Sequence, residues 1–510
     1  MLTLDRPPSV DTTAADRRSH AIVIGSGFGG LAAAVRLGAR GYRVTVVERL
    51  DAAGGRAYVH RQDGFTFDAG PTIITVPYLF EDLWALCGRK MADDIDLRAM
   101  DPFYRVVFDN GDAIESFADS AAMRAEVARF APRDLAGYDR FMARSRELCS
   151  IGFEKLGHMP FVSLTDLAKQ VPDIIRLGGY RSVYGMVSSY VRDERLRFLL
   201  SFHPLFVGGN PFETTAVYCM ISDVERRWGV HFPMGGTGAL VKGLANLIEG
   251  QGGRFRYNAE VAEILVRDGT AHGVRLTSGE EIAADIVVSN ADAAYTYRHL
   301  VPASARRRWT NRKVDHAAYS MGLFVWYFGL DRRYDDVRHH TILVGPRYRG
   351  HVNEIFAAKS LPSDMSLYLH RPTATDPSLA PEGCDAFYVL SPVPHLDAGV
   401  DWATQAETYR RSVARRLSET VLPGFEDHIV TSRIATPQDF QDRLCSVKGA
   451  GFSLAPKLTQ STWFRPHNRS EDVKGLYLVG AGTQPGAGVP AVLSSARILD
   501  QLVPDPVTHG

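Results

Sequence analysis

The sequence predicts an α/β protein with a Rossmann-type dinucleotide-binding lobe assembled from separated segments, a mixed α+β second lobe, and a helical lid. Three observations carry this expectation. Strand, glycine-rich turn, helix and strand follow one another near the start of the chain. Strand and turn patterns return between Leu240 and Asp292, and a second glycine-rich turn opens a helix near the end. At 510 residues the chain exceeds what one simple core accommodates, so more than one lobe is expected.

The opening unit runs from His20 to Glu48. Ala21-Ile22-Val23-Ile24 is a continuous apolar run rich in β-branched residues, as expected of a strand buried on both faces. Gly25-Ser26-Gly27-Phe28-Gly29-Gly30 fits G-x-G-x-x-G, and a helical stretch follows from Leu31 to Arg40, with Gly41 placed to end it. A second strand, Arg43 to Val47, delivers Glu48 at its C-terminal end. Each position has a physical role. Gly25 permits the tight turn, Gly27 lets a pyrophosphate approach the backbone, and Gly30 lets the helix pack close to the strand. The helix N-terminus offers free N–H groups and positive dipole to phosphates. Glu48 is placed to accept from a ribose hydroxyl, which favours an unphosphorylated ribose. The glycines alone are a weak signal; the ordered set is a strong one.

Beyond Glu48 lie Gly54-Gly55-Arg56 and then Phe67-Asp68-Ala69-Gly70-Pro71-Thr72. Arg56 beside Gly55 is placed to bring a cation to the cofactor, although an ordinary surface turn has the same composition. Gly70-Pro71 bends the chain just before Thr72. The arrangement resembles the FAD-binding lobe of amine-oxidase-like flavoproteins, where a G-G-R segment follows the Rossmann unit, so FAD is the expected cofactor.

Further along, a helix from Leu240 to Glu249 ends at Gly250, and Arg254 to Tyr257, Val261 to Val266 and Ile282 to Ser289 read as strands. By resemblance this stretch completes the FAD lobe, with the backbone of Val261 on the adenine side. The last piece is the strand Leu476 to Val479, the loop Gly480-Ala481-Gly482-Thr483-Gln484-Pro485-Gly486-Ala487-Gly488, and a helix from Pro490 to Leu499. Its glycines, Gly480 and Gly482 foremost, are a second place where backbone approaches flavin or phosphate. The expected division is a loose tail over 1–18, cofactor lobe over 19–100, 235–299 and 467–510, and substrate lobe with lid over 101–234 and 300–466.

Composition excludes several classes. Lys plus Arg equals Asp plus Glu, 58 each, so no global field attracts nucleic acid. The five cysteines are scattered without a C-x-x-C pair, which argues against a disulfide framework and suits five small core residues in a reducing cytosol. The first residues lack an apolar h-region. The most apolar uncharged run, Ala317 to Leu330, is about a third too short to span a bilayer and reads as a buried strand.

Four longer segments sharpen the resemblance: Ser201 to Phe212 (SFHPLFVGGNPF), Met321 to Leu330 (MGLFVWYFGL), Trp463 to Asn468 (WFRPHN) and Leu478 to Thr483 (LVGAGT). Together they resemble the bacterial and fungal-type phytoene desaturases, over about Ala21 to Ala496. The resemblance implies an FAD-dependent enzyme that desaturates phytoene stepwise through neurosporene to lycopene. Its partners would be phytoene, partly desaturated carotenes, oxygen or a quinone as electron acceptor, and the surface of the inner membrane, to which a cytoplasmic chain attaches without spanning. Another carotenoid desaturase or ketolase is the near alternative, and a non-catalytic lipid chaperone the distant one. Two positions depart from the family: Gln484 stands where His is usual, and Ala491 where Gly is usual.

Forming C=C from adjacent CH₂ groups removes a hydride and a proton, and a flavin accepts the hydride at N5. The substrate offers nothing to hydrogen-bond, so a long apolar tunnel is expected. Phe198 to Phe212 and Met321 to Phe328 suit its lining or an ordinary core; periodicity does not separate the two. By resemblance Arg146 is the catalytic candidate, on a segment that also reads as one more exposed charge run. His203 reads as a base or a satisfied core histidine. His339, His340 and His370 show no metal-ligand spacing, so no metal site is expected and a solvated or structural role is. The stretch Leu156 to Val191 mixes apolar residues such as Leu164, Leu167 and Ile175 with Lys169, Arg176 and Arg181, the pattern of a membrane-facing surface or of a lid.

Overall fold

In the computed structural model, which describes residues 18–507, the chain folds around two large sheets. The tail expected over 1–18 lies outside the described residues except for Arg18. The first sheet has five parallel strands in the order Arg254–Arg256, Arg43–Val47, His20–Ile24, Ile286–Ser289, Leu476–Leu478. Alternation of side chains explains its apolar runs. Ala21 and Val23 face a helical layer with Leu31, Val35, Leu244 and Leu493. Ile22 and Ile24, with Leu478 of the neighbouring edge strand, face an antiparallel layer with Ile264 and Val274. Helix Phe28–Ala39 packs against Thr237–Gly250 and Val489–Asp500 on the first face, and strands Val261–Arg267, Thr270–Leu276 and Glu281–Ala283 cover the second.

The second sheet has seven strands, in the order Ile429–Ala435, Gly322–Leu330, Asp385–Val393, Leu367–His370, His340–Leu343, Tyr104–Val107, Ala113–Ser116. Its pairs are antiparallel except His340–Leu343 with Tyr104–Val107. Strand Gly322–Leu330 is buried along its whole length, as its composition predicts. Its two faces do different things. Phe324, Trp326 and Phe328 pack with Trp402 and Tyr409, whereas Leu323, Val325 and Tyr327 face the interior shared with the first sheet. The expected strand Ile282 to Ser289 is two strands in different sheets. The chain turns between them at Asp285, whose carboxylate accepts from His20 N at 2.7 Å.

The expected lid is a run of short helices, Leu164–Ala168, Val171–Arg176 and Val183–Val187, and the side chains of Leu164 and Leu167 lie outside the described set. All five cysteines are free. Cys149 and Cys219 are buried; Cys87, Cys384 and Cys445 are partly exposed, which corrects the expectation of five core residues.

Candidate active site

A cavity of about 810 Å³ opens where the two sheets meet. Its polar end lies at the C-terminal edge of the five-stranded sheet, between strands His20–Ile24 and Ile286–Ser289, which lead away to opposite sides. In an open parallel sheet this reversal of strand order is where a crevice forms. Gly25, with φ of +86°, turns the chain out of the first strand, and its N–H donates to Val47 O at 2.8 Å. Gly27 caps helix Phe28–Ala39 without a side-chain hydrogen bond, and no acid occupies the first turn, so the positive helix end faces the cavity unneutralised. Gly30 stands behind: a Cβ there would lie 2.1 Å from Gly25 O, so only glycine lets this helix sit so close to its strand.

Glu48 is buried and lines the cavity. Its Oε2 accepts from Ser26 N (2.8 Å) and Ser26 Oγ (2.6 Å), and its Oε1 from Leu50 N (2.9 Å). Three bonds leave a carboxylate with acceptor capacity for one more donor. Gly55 abuts this loop, with an added Cβ 3.3 Å from Gly27 Cα. Arg56 is not a solvated turn residue: it lines the cavity, donating from Nε to Gly451 O (3.0 Å) and from Nη2 to Ser446 Oγ (2.7 Å). Burial holds its pKa below the ordinary arginine value, with Asp292 opposing. Val261 begins its strand at the cavity wall.

The C-terminal loop closes this end. Gly480, with φ of +99°, lines the cavity, and Gly488 caps helix Val489–Asp500, again without a side-chain bond. Gly482 does not reach the cavity. A Cβ on it would lie 2.8 Å from both Ala293 Cβ and Ser453 Oγ, so its smallness serves packing, and the structure does not bring it to the cavity wall with Gly480. Asn290 was not singled out by the sequence, yet it is central. Its N–H donates to Ile24 O at 2.8 Å, and added Cβ atoms at Gly27, Gly29 and Gly480 would lie 3.0, 2.5 and 2.8 Å from its amide. Asp292 Oδ2 and Ser494 Oγ, on residues that line the cavity, are buried without partners.

The other end is apolar, walled by Phe161, Ile174, Phe206, Val217, Leu323 and Val325. It opens between exposed Ile175, Tyr180, Leu458 and Phe464. Few polar groups interrupt it. Thr72 Oγ1 lies 2.8 Å from Tyr368 Oη and 2.9 Å from Tyr388 Oη, and Tyr388 donates to Gly70 O at 3.0 Å. Desolvation raises both phenol pKa values, so both stay neutral. His203 is a cavity residue with a partner: its Nε2 lies 3.1 Å from Glu225 Oε2, and Glu225 also accepts from Tyr104. Gln484 clamps the wall, its amide bonding Phe161 N (3.3 Å) and Thr462 O (3.0 Å).

Arg146 is outside. Its side chain is 69% exposed, its nearest acid is Asp223 at 3.7 Å, and it does not line the cavity. Helix Leu135–Cys149 buries Tyr138, Phe141, Ser145 and Leu148, which turns Arg146 to solvent. The structure does not bring Arg146, the expected catalytic residue, to the cavity wall. Arg465, within the segment Trp463 to Asn468, is a clamp: fully buried, it donates to the carbonyls of Thr483, Gln460, Leu454 and Ala481.

Residues 28–498 match the family of flavin containing amine oxidoreductases. A phytoene desaturase (neurosporene-forming) of Rhodobacter capsulatus is 51% identical over 492 residues, covering 95% of this chain and 94% of its own. A phytoene desaturase (lycopene-forming) of Pseudescherichia vulneris is 47% identical over 486 residues, covering 94% and 98%. An oxidoreductase of known structure from Methanosarcina mazei superposes with a TM-score of 0.62 at 19% identity, covering 94% of this chain and 98% of that one; this likeness concerns the fold alone.

Proposed function

The chain belongs to the flavin-containing amine oxidoreductase family and is an FAD-dependent oxidoreductase, and from that premise we propose that it desaturates phytoene. One observation carries the reading. The dinucleotide end and a large apolar chamber are a single cavity, and the chamber presents hydrocarbon walls with few hydrogen-bonding groups, as a long hydrocarbon substrate requires. The residues fit FAD. Two uncapped helix N-termini and a glycine-lined turn suit its pyrophosphate, Glu48 keeps acceptor capacity for a ribose hydroxyl, and the unpartnered Asp292 Oδ2 calls for a hydroxyl donor.

In this reading Gly25, Gly27, Glu48, Arg56, Val261 and Gly480 hold the cofactor, with Thr72 at the boundary of the two ends. In this reading the cofactor segments are 19–100, 235–299 and 467–510 and the substrate segments 101–234 and 300–466, supported by the five-stranded sheet drawing its strands from the first set and the seven-stranded sheet from the second. FAD supplies a hydride acceptor for carbon–carbon desaturation. The chain supplies the rest. The apolar walls orient the polyene and exclude water, and the proton released with the new double bond passes to the His203 Nε2–Glu225 pair. Oxygen or a quinone would be the terminal electron acceptor. Neurosporene is the main product in this reading, because the neurosporene-forming relative is the more similar of the two.

Among the described residues no helix is long and apolar enough to cross a membrane. The substrate dissolves in lipid, so entry from a bilayer surface is the second part of the proposal. It rests on the exposed apolar rim of the chamber, Ile175, Tyr180, Leu458 and Phe464, with the exposed Arg176 next to Ile175 along the chain. Expression in a phytoene-accumulating bacterial host tests the activity: coloured neurosporene is expected, lycopene would extend the reaction, and unchanged phytoene beside flavin-loaded protein would refute it. Co-sedimentation with liposomes, lost in Phe464→Glu, tests the rim.

A further inference from the structure

Behind Tyr368, away from the cavity, three histidines meet. His340 and His370 are paired across neighbouring strands, and His339 precedes the first of them. All three are buried, and one ring nitrogen of each lies within 4.8 Å of the others. Far from being solvated, they are gathered by strand register, which no spacing along the chain reveals.

Proton counting identifies the free lone pairs. Tyr388 Oη can only donate to Gly70 O, since a carbonyl cannot donate. Thr72 must then give its one proton to Tyr388, and Tyr368 must give its own to Thr72. The 2.7 Å contact between Tyr368 Oη and His340 Nδ1 is then a hydrogen bond only if His340 Nδ1 carries the proton. That leaves His340 Nε2 a bare lone pair, and it is buried with no partner. His339 has the same pattern: its Nδ1 lies 2.6 Å from Thr375 Oγ1, which itself donates toward Met100 Sδ, so His339 Nε2 also carries a lone pair. His339 Nε2 lies 3.1 Å from His370 Nε2, close to the separation of about 3.3 Å expected for two nitrogens on one tetrahedral ion at 2.0–2.1 Å.

We propose that His339, His340 and His370 bind a divalent transition-metal ion of the zinc class through their Nε2 atoms. The outer contacts are those of a ligand set. Thr375 and Tyr368 hold the far nitrogens of two of the imidazoles, the arrangement that fixes tautomer and ring orientation at metal sites. An all-nitrogen donor set without carboxylate or carbonyl favours zinc-like ions over magnesium or calcium. Burial lowers the pKa of all three imidazoles, so they are neutral and competent to ligate. The neighbouring Arg371 guanidinium is already matched by Asp385 (3.0 Å) and Asp335 (2.8 Å). An all-hydrogen-bonded cluster leaves His340 Nε2 and His370 Nδ1 both unpartnered; coordination satisfies the first. Coordination through His340 Nε2 also locks the Nδ1–H tautomer that starts the chain to Tyr368 and Thr72, linking the ion to the cavity wall.

The test uses FAD-loaded protein stripped with a chelator and titrated with Zn²⁺ under elemental analysis. One tightly held zinc per chain is expected, with affinity reduced about 10- to 100-fold in Thr375→Val and binding lost in His340→Gln. Titration of the wild type with Co²⁺ should give intense visible bands of tetrahedral nitrogen ligation. No saturable zinc uptake by the wild type, uptake unchanged in His340→Gln, or absent cobalt bands would each overturn the proposal.

Discussion

The two ends of the cavity are built in opposite ways. The dinucleotide end is made from short stretches, 24–29, 47–50, 480–481 and 484–488, in which backbone and glycine do most of the contact. The apolar end draws single side chains from positions as distant as Phe161, Phe206, Leu323 and Tyr388. A site made by backbone geometry tolerates few residue types, because an added methyl group meets main chain. A site made by side chains tolerates many, because any similar volume fills it. The first end is therefore expected to be brittle and the second graded.

The largest expected effect is at the brittle end. Gly27→Val places side-chain atoms where a Cβ already lies 3.0 Å from Asn290 Nδ2, at the mouth of the uncapped helix. The purified variant is expected to emerge from desalting without FAD, read from its visible absorbance; normal flavin content would show that this loop does not hold the cofactor. At the other end, Glu225→Gln removes the carboxylate beside His203 Nε2. Turnover should fall about 100- to 10,000-fold with flavin content unchanged. Unaltered turnover would remove the pair from the reaction.

Away from both ends of the cavity, Asp68 ties strand Phe65–Asp68 to helix Thr237–Gly250, accepting from Thr237 N (2.8 Å) and Gly238 N (3.3 Å). Desolvation raises its pKa from the ordinary 3.8 to about 6. The folded state therefore binds this proton more tightly than the unfolded state, so the contribution to stability is full below the unfolded pKa and fades as pH rises through the folded one. Relative to Asp68→Asn, which cannot titrate, the wild type should lose up to about 3 kcal/mol between pH 4 and 6 in urea denaturation. A constant difference across that window would contradict the assignment. The smallest effect belongs to Arg146, whose side chain is exposed and does not line the cavity. Arg146→Ala should change stability by no more than about 0.5 kcal/mol and leave flavin content and turnover near wild type. A large loss of turnover would restore a role that the cavity geometry does not provide.

How much of this was legible in the sequence follows the same division. Strand, glycine turn, helix and terminal Glu48 are consecutive, so the roles of Gly25, Gly27 and Gly30 follow from local sterics before any fold is known. Asn290 lay in plain view at the end of a recognised strand, but its place among three glycines depends on which strand lies beside His20–Ile24. Tyr368, Tyr388 and Glu225 carry no local pattern, and only the pairing of the seven-stranded sheet brings Tyr368 and Tyr388 to Thr72. The run Met321 to Phe328 hid its alternation because both faces are buried, one in the cavity wall and one against helix Trp402–Ser418. Arg146 was readable in part: Tyr138, Phe141, Ser145 and Leu148 recur at helical spacing, which assigns Arg146 to the outer face.

The central claim is that the flavin and a hydrocarbon substrate share one cavity. Anaerobic mixing of the FAD-loaded protein with phytoene-bearing liposomes tests it most directly, with flavin absorbance as the readout. The account predicts bleaching that depends on phytoene and on Glu225, with a more desaturated carotene recovered from the lipid. A flavin that stays oxidised with phytoene but is reduced by a primary amine would contradict it.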